Sequence, residues 1–153
     1  MPQKTIINDA VFLAKGFLIS TDKTLLNLNY VYQFLTQKAY WAKNLPYGTF
    51  ITSVENSNCF GLYLNQKQIG FARIITDGST FAYLTDVFID EAYRKQSLSK
   101  WLLQTILNQP EYKDLKRWLL ATVDAHLLYQ QFGFKKLSQP ETFMEIVKAY
   151  PKP

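Results

Sequence analysis

Tyr83-Leu-Thr-Asp-Val-Phe-Ile-Asp-Glu-Ala-Tyr-Arg-Lys-Gln-Ser-Leu-Ser-Lys-Trp-Leu-Leu-Gln104 changes character halfway along its length. Val87, Phe88 and Ile89 are β-branched or aromatic, the composition of a strand buried on both faces. Asp90, Glu91 and Ala92 break that run, and Arg94 and Lys95 follow with positive charge. From Leu98 the apolar residues fall at Leu98, Trp101, Leu102 and Ile106, which is helical spacing. A strand that feeds a basic turn into a helix N-terminus makes an anion site. The first backbone N–H groups of the helix have no partner within it, and its dipole favours negative charge.

Working outward, the N-terminal side holds a short strand at 17–20, preceded by a stretch (Ile6, Ile7, Val11, Phe12) whose pattern fits strand and helix equally. Asn27 or Asn29 can cap a helix bearing Val31, Phe34 and Leu35 and ending near Tyr40-Trp41. Pro46 stands where a second helix begins, with Phe50, Ile51 and Val54 on its apolar face. Residues 59–64 and 68–76 then read as a hairpin turning at Asn65-Gln66-Lys67, and Asp77-Gly78 makes the next tight turn into a strand over 80–89. Beyond the helix, which stops by Pro110, the pattern gives a strand at 116–123 and a helix at 125–132 closed by Gly133. Two last strands follow at 134–137 and 144–147. The order β-α-α-β-β-β-α-β-α-β-β is an antiparallel meander leading into a βαβ crossover. We expect one α/β domain spanning residues 1–153.

Composition narrows the function classes. The chain of 153 residues is nearly half apolar and 16% aromatic, too rich in core-forming residues for disorder. No apolar run reaches membrane-spanning length and no basic-then-apolar leader opens the sequence, so a cytoplasmic location and no membrane partner are expected. Cys59 is the lone cysteine and His126 the lone histidine, which excludes an internal disulfide and cysteine or multi-histidine metal clusters. Phe60 and Leu62 beside Cys59 point to a buried structural thiol. The net charge of +5 invites an anionic partner, either a phosphorylated cofactor or nucleic acid. The basic residues form no continuous stripe and the aromatics fit core positions, so no nucleic-acid partner is expected.

Two segments carry a family resemblance. Arg94-Lys95-Gln96-Ser97-Leu98-Ser99 resembles the Arg/Gln-x-x-Gly-x-Gly/Ala motif by which GCN5-related N-acetyltransferases (GNATs) bind acetyl-CoA, with serines at both glycine positions. Ala125-His-Leu-Leu-Tyr129-Gln-Gln-Phe-Gly133-Phe134 resembles the family's Ala-x-x-Leu-Tyr-x-x-x-Gly-Phe segment. Tyr40-Trp41-Ala42 and Gly70-Phe71-Ala72-Arg73 are similar to a bacterial subgroup. The resemblance spans roughly 17–147. It implies the acyl-CoA N-acyltransferase fold, a mixed central sheet of about seven strands with about four helices. It also implies acetyl-CoA as cosubstrate, an amine acceptor of small-molecule or peptide type, and a possible homodimer.

What the resemblance implies about residues can be weighed against their chemistry. The backbone of Val87, Phe88 and Ile89 would hold the pantetheine arm and polarise the thioester carbonyl, as an oxyanion hole does. Arg94, Lys95, Gln96, Ser97, Leu98, Ser99 and Lys100 would hold the phosphates. Tyr129 takes the position of the family's acid, and its phenol is protonated at neutral pH; ordinary core packing with Leu128 and Phe132 is the alternative. For the base, Asp86 beside the carbonyl-binding segment is the first candidate, facing opposite to Val87 by strand alternation. Glu55, Asp124, His126 or a relayed water are rivals. Tyr40, Trp41, Arg73, Phe81 and Tyr83 are candidates to line the acceptor pocket, with core packing the alternative for the aromatics. The serines set a test. A Cβ at positive φ costs roughly 1–2 kcal/mol, so Ser97 and Ser99 handicap the loop if it needs left-handed angles. A right-handed turn tolerates them, and serine is a good helix cap. A CoA sensor or protein-interaction module that has lost activity is the rival function.

Overall fold

The computed structural model describes residues 8–152. Ile6 and Ile7 lie outside the described residues, while Val11 and Phe12 fall in a helix, α1 (Asp9–Ala14), capped by the Asn8 side chain. It leads into β1 (Phe17–Ser20). Two helices follow, α2 (Leu28–Gln37) and α3 (Tyr47–Glu55), separated by a 3-10 turn at Tyr40–Ala42. Of the two cap candidates it is Asn27 that closes α2, its side chain accepting from Tyr30 N at 3.0 Å. The strands β2 (Asn58–Leu64), β3 (Lys67–Thr76) and β4 (Phe81–Ile89) form the expected meander. Asn65 and Gln66 take φ of 47° and 74°, the paired left-handed angles of a tight two-residue hairpin. At the next turn the Asp77 carboxylate accepts from the N–H groups of Ser79, Thr80 and Phe81, which holds it far below the usual carboxylate range. Helix α4 (Leu98–Leu107) then crosses to β5 (Arg117–Leu119), and α5 (His126–Gln130) follows.

The sheet has the order β1-β2-β3-β4-β5, antiparallel throughout except for the parallel β4–β5 pair. Its two faces are buried under different helices. On one side α4 lays Leu98, Trp101, Leu102, Leu103 and Ile106 over Phe60, Leu62, Ile74, Ala82 and Leu84. Phe12 of α1 stacks on Trp101 at 4.5 Å, and the Trp101 indole N–H donates to Asp9. On the other side α2 and α3 bring Val31, Phe34, Leu35, Phe50 and Val54 against Cys59, Phe71 and Phe88. Each such fully buried side chain contributes roughly 1.5–3 kcal/mol. Cys59 is a buried structural thiol as expected, its pKa pushed up to about 11 by burial.

Three sequence expectations are corrected. The sheet has five strands rather than about seven, and there are five α-helices among the described residues rather than about four. Strand 116–123 shrinks to Arg117–Leu119 because β5 leaves β4 after the Tyr83–Leu119 pair. The segments 134–137 and 144–147 have strand composition yet pair with no strand among the described residues. β-Propensity measures fit to a pleated, half-buried surface, and Met144, Ile146 and Val147 have 97, 91 and 76% of their surface exposed.

Candidate active site

Strand β4 pairs with β5 only at Phe81, Ala82 and Tyr83. From Leu84 onward its β5-side edge has no partner strand, because the chain after Leu119 swings away towards α5. The wedge between them is a cleft of about 260 Å³, lined by Tyr83 to Val87 on one wall and Ala121 to Ala125 on the other. Tyr129 of α5 and Tyr40 and Trp41 of the 3-10 turn close it.

A β-bulge sits at this wedge. Phe71 opposes Phe88 and Arg73 opposes Thr85, so β4 carries one residue more than β3 between those pairs. The extra length is taken up at Asp86, whose φ is +55°. Regular alternation would send Asp86 to the α4 face with Ala82 and Leu84. The bulge turns it to the other face, where Arg73 Nε donates to Oδ2 at 2.8 Å and Trp41 Nε1 to Oδ1 at 2.9 Å. Arg73 is held in turn by Ser57, accepting from Nη1 at 3.0 Å. Asp86 and Val87 do face opposite ways, Val87 packing on the α4 side, but through a bulge rather than simple alternation.

At the far end of β4, the Arg94 guanidinium donates to the Ile89 carbonyl at 3.2 Å and begins the basic turn. Lys95 and Ser97 both have positive φ, 64° and 63°. Ser97 is the α4 cap residue, yet its hydroxyl makes no capping bond; its carbonyl accepts from Trp101 N at 3.1 Å. Ser99 lies inside α4 at ordinary helical angles. The two serines are therefore different: Ser97 stands where a glycine would be unstrained, and Ser99 does not. The N–H groups of Leu98, Ser99 and Lys100 are in the first helical turn, where no earlier helical carbonyl can take them.

Tyr129 packs with Leu128 and Phe132 against the α4 core, so its packing role is real. Tyr129 nonetheless lines the cleft, and its hydroxyl makes no hydrogen bond among the described residues. Burial, reinforced by Tyr40 and Asp124, pushes its pKa up to about 12.

Comparison with known proteins bears on this arrangement. The model of the acetyltransferase (GNAT) domain matches residues 55–136, more than half of the chain. A Gibberella zeae protein named as an acetyltransferase is 33% identical over 141 residues, covering 78% of this chain and 79% of that one. The chain belongs to the GNAT acetyltransferase family. The crystal structure of a GNAT-family protein from Xanthomonas campestris superimposes with a TM-score of 0.84 at 37% identity, covering 86% of this chain and 93% of the other. A Clostridium acetobutylicum acetyltransferase crystallised with acetyl-CoA shares the fold alone, with a TM-score of 0.62 at 12% identity over 86% of this chain and 94% of that one. Relatives above 30% identity thus come from a fungus as well as a bacterium, so the similarity is not confined to a bacterial subgroup.

The GNAT fold brings most of the sequence candidates together. Tyr40, Trp41, Tyr83, Asp86, Val87 and Tyr129 meet around the cleft, and the loop from Arg94 to Lys100 lies beyond the end of the same strand. Arg73 does not line the cleft; it holds Asp86 from behind. Phe81 pairs with Arg117 away from the cleft, and Phe88 is core, stacked on Phe34 at 3.8 Å. Of the rival bases, Asp124 lines the cleft, the exposed His126 lines a neighbouring one with Tyr129, and Glu55 lies at the end of α3, lining neither. Sequence reasoning missed the loop Ala121–Ala125, taken partly for strand, and with it the bond from Val123 N to the Tyr40 hydroxyl at 3.1 Å. It also missed that Trp41 and Asp86 bind each other. Among the described residues, no helix is long and apolar enough to cross a membrane.

Proposed function

We propose that the chain, as one domain over residues 1–153, transfers acetyl from acetyl-CoA to a primary amine by direct attack in a ternary complex, in the cytoplasm. The observation that carries this reading is the wedge between β4 and β5, with an unpaired strand edge on one wall and Tyr129 lining it as well. Backbone groups of Val87, Phe88 and Ile89 hold the pantetheine and polarise the thioester carbonyl, where one well-placed donor is commonly worth about 3 kcal/mol. Arg94 and Lys95, with the first turn of α4 from Ser97 to Lys100 and Gln96 beside it, take the phosphates.

The role of Tyr129 follows from magnitudes. A thiol of cysteine type has a pKa of about 8.5, so full proton transfer from a phenol at about 12 is uphill by roughly 5 kcal/mol. Tyr129 therefore stabilises the departing thiolate by donating a hydrogen bond, and the proton that finally reaches sulfur comes from the acceptor ammonium. Asp86 already accepts from Arg73 and Trp41. It acts as the polar floor that, through its remaining lone pairs, orients the acceptor amine or the water that relays its proton. Tyr40, Trp41 and Tyr83 supply aromatic walls that suit a single ammonium group. The partners in this reading are the amine acceptor and a second copy of the chain, with no nucleic acid and no membrane.

Calorimetric titration with acetyl-CoA, followed by an amine screen monitored through thiol release, tests this reading. Saturable micromolar binding with turnover of some amine supports it. A second reading, a CoA sensor or protein-interaction module, is favoured by Ser97 at positive φ in the phosphate loop. Tight binding with no turnover across the screen selects the sensor. No binding at millimolar cofactor selects the interaction module.

A further inference from the structure

The ion pair behind the cleft has a second side. Ala72, Ile74, Ala82 and Leu84 point to α4, so by alternation Arg73, Ile75, Tyr83 and Thr85 share the opposite face of the sheet. In the β3–β4 register Arg73 lies opposite Thr85, and Ile75 opposite Tyr83. Tyr83 and Thr85 line the cleft of about 260 Å³, while Arg73 and Ile75 line a groove of about 630 Å³ along α3. The two hollows are therefore neighbours on one floor, a single strand spacing of about 5 Å apart.

The groove has a one-sided chemistry. Thr52 Oγ1, Ser53 Oγ and Asn56 Nδ2 donate to carbonyls of their own helix, those of Gly48, Phe50 and Thr52. What these side chains leave for a ligand is acceptor oxygen. The buried Ser57 hydroxyl donates to Ser53 O at 2.6 Å and accepts from Arg73 Nη1 at 3.0 Å. Arg73 is the charged side chain among those lining the groove. Its Nε is taken by Asp86 and its Nη1 by Ser57. Its Nη2 makes no hydrogen bond among the described residues, nor is that atom sealed from solvent. Nη2 is thus an ionised donor fixed in place by two neighbouring bonds and still without an acceptor.

Charge decides what fits. Arg73 and Asp86 neutralise each other at 2.8 Å. A lone anion at Nη2 also feels Asp86, and a lone ammonium at Asp86 also feels Arg73. A ligand carrying both charges meets each with its complement. We propose that the acceptor is a zwitterion, a primary amine joined through a few bonds to a carboxylate. Its amine lies at Asp86 in the cleft and its carboxylate takes Arg73 Nη2 from the groove. Arg73 is then the residue that sets specificity, and the net charge of +5 favours the carboxylate end. The inference rests on the acetyl-transfer reading for turnover, though not for binding. On transfer the thioester C–S bond breaks as the amide C–N bond forms; the ammonium gives one proton to the departing thiolate and one to water. The product keeps its carboxylate and loses its positive charge, so it faces Asp86 uncompensated and leaves.

The test is calorimetric titration of the intact chain at neutral pH, with and without coenzyme A, using glycine, β-alanine, 4-aminobutanoate and 6-aminohexanoate. For the tightest of these, the matching amide, alkylamine and plain carboxylate are titrated as well. The zwitterion should bind about tenfold more tightly than each of the three. An amide or alkylamine that binds as tightly overturns the proposal, as does the absence of saturable binding by the whole series at millimolar concentration. Ser53→Asp, one hydrogen bond beyond Ser57, puts a competing carboxylate in the groove, and Ser53→Asn has the same shape without the charge. The aspartate variant should bind the zwitterion about tenfold more weakly than the asparagine variant, and equal binding by the two overturns the proposal. Thiol release with acetyl-CoA separates the two readings. Equal kcat/KM for the zwitterion and its alkylamine overturns the zwitterion and leaves acetyl transfer standing. Selective zwitterion binding with no turnover of any amine keeps the site and overturns the transfer.

Discussion

Phe88 and Met144 both lie in stretches with the composition of a strand, and they end in opposite circumstances. Phe88 keeps 5% of its surface exposed, stacked on Phe34 and flanked by Phe71. Met144 keeps 97%. The difference lies in what surrounds the backbone. β4 has β3 along one edge, helices over both faces, and a bulge that adjusts its register; the chain around Met144 pairs with no strand among the described residues. Strand formation here is a property of the pair, not of the segment.

The comparison breaks first, if it breaks, at the core. Phe88→Ala should cost about 3–5 kcal/mol, read as a large fall in the urea midpoint. A loss under 1 kcal/mol would mean that the two faces are not both packed through β4. Next in size is Tyr129→Phe, which removes the hydrogen bond to the departing thiolate and should lower kcat about a hundredfold with acetyl-CoA affinity unchanged. Full turnover would return Tyr129 to a packing role alone. Alkaline pH gives a third contrast. Burial raises Tyr63 and Tyr129 to about 12 from an ordinary value of 10, so between those values the folded chain binds more protons than the unfolded one. Stability should hold up to about pH 10 and fall above it, by on the order of 1 kcal/mol for each of these phenols at pH 11, measured by urea midpoints at pH 8, 10 and 11.

The serines sharpen the picture at smaller scale. Ser97 holds a left-handed angle at which a Cβ is strained and a glycine is not. Ser97→Gly should stabilise the fold by about 1 kcal/mol, read as a rise in the urea midpoint. Ser99→Gly, inside α4, should instead destabilise by about 0.5–1 kcal/mol. If Ser97→Gly tightens binding tenfold, the loop takes its angle only when the cofactor arrives. Smallest of all, Met144→Asp should move the stability of the chain by no more than about 0.5 kcal/mol, since Met144 is 97% exposed.

Much of the fold was legible because local signals and tertiary partners agreed. Leu98, Trp101, Leu102 and Ile106 announce a helix, and α4 buries all four together with Leu103. Asn65-Gln66 announces a turn and joins two strands that pair along their length. The candidate site was legible in its placement wherever a motif stood at a fixed place on such elements, as Tyr129 beside the cleft and the loop after β4 do. What escaped depends on contacts distant in sequence. No local signal marks the bulge at Asp86, since it arises from the pairing of β3 with β4. Nor does any mark the early departure of β5, which opens the cleft. The apolar residues at 144–147 gave a correct composition and a wrong state, because no pattern within a segment can report a missing neighbour.

The placement of Cys59 has a practical side. It is the chain's single sulfhydryl, enclosed between the sheet and α3, with a pKa near 11. A disulfide reagent at neutral pH meets almost no reactive sulfur on the native protein. The colour it develops during turnover therefore counts released coenzyme with little background, and a slow rise in a blank without cofactor reports molecules that have come unfolded.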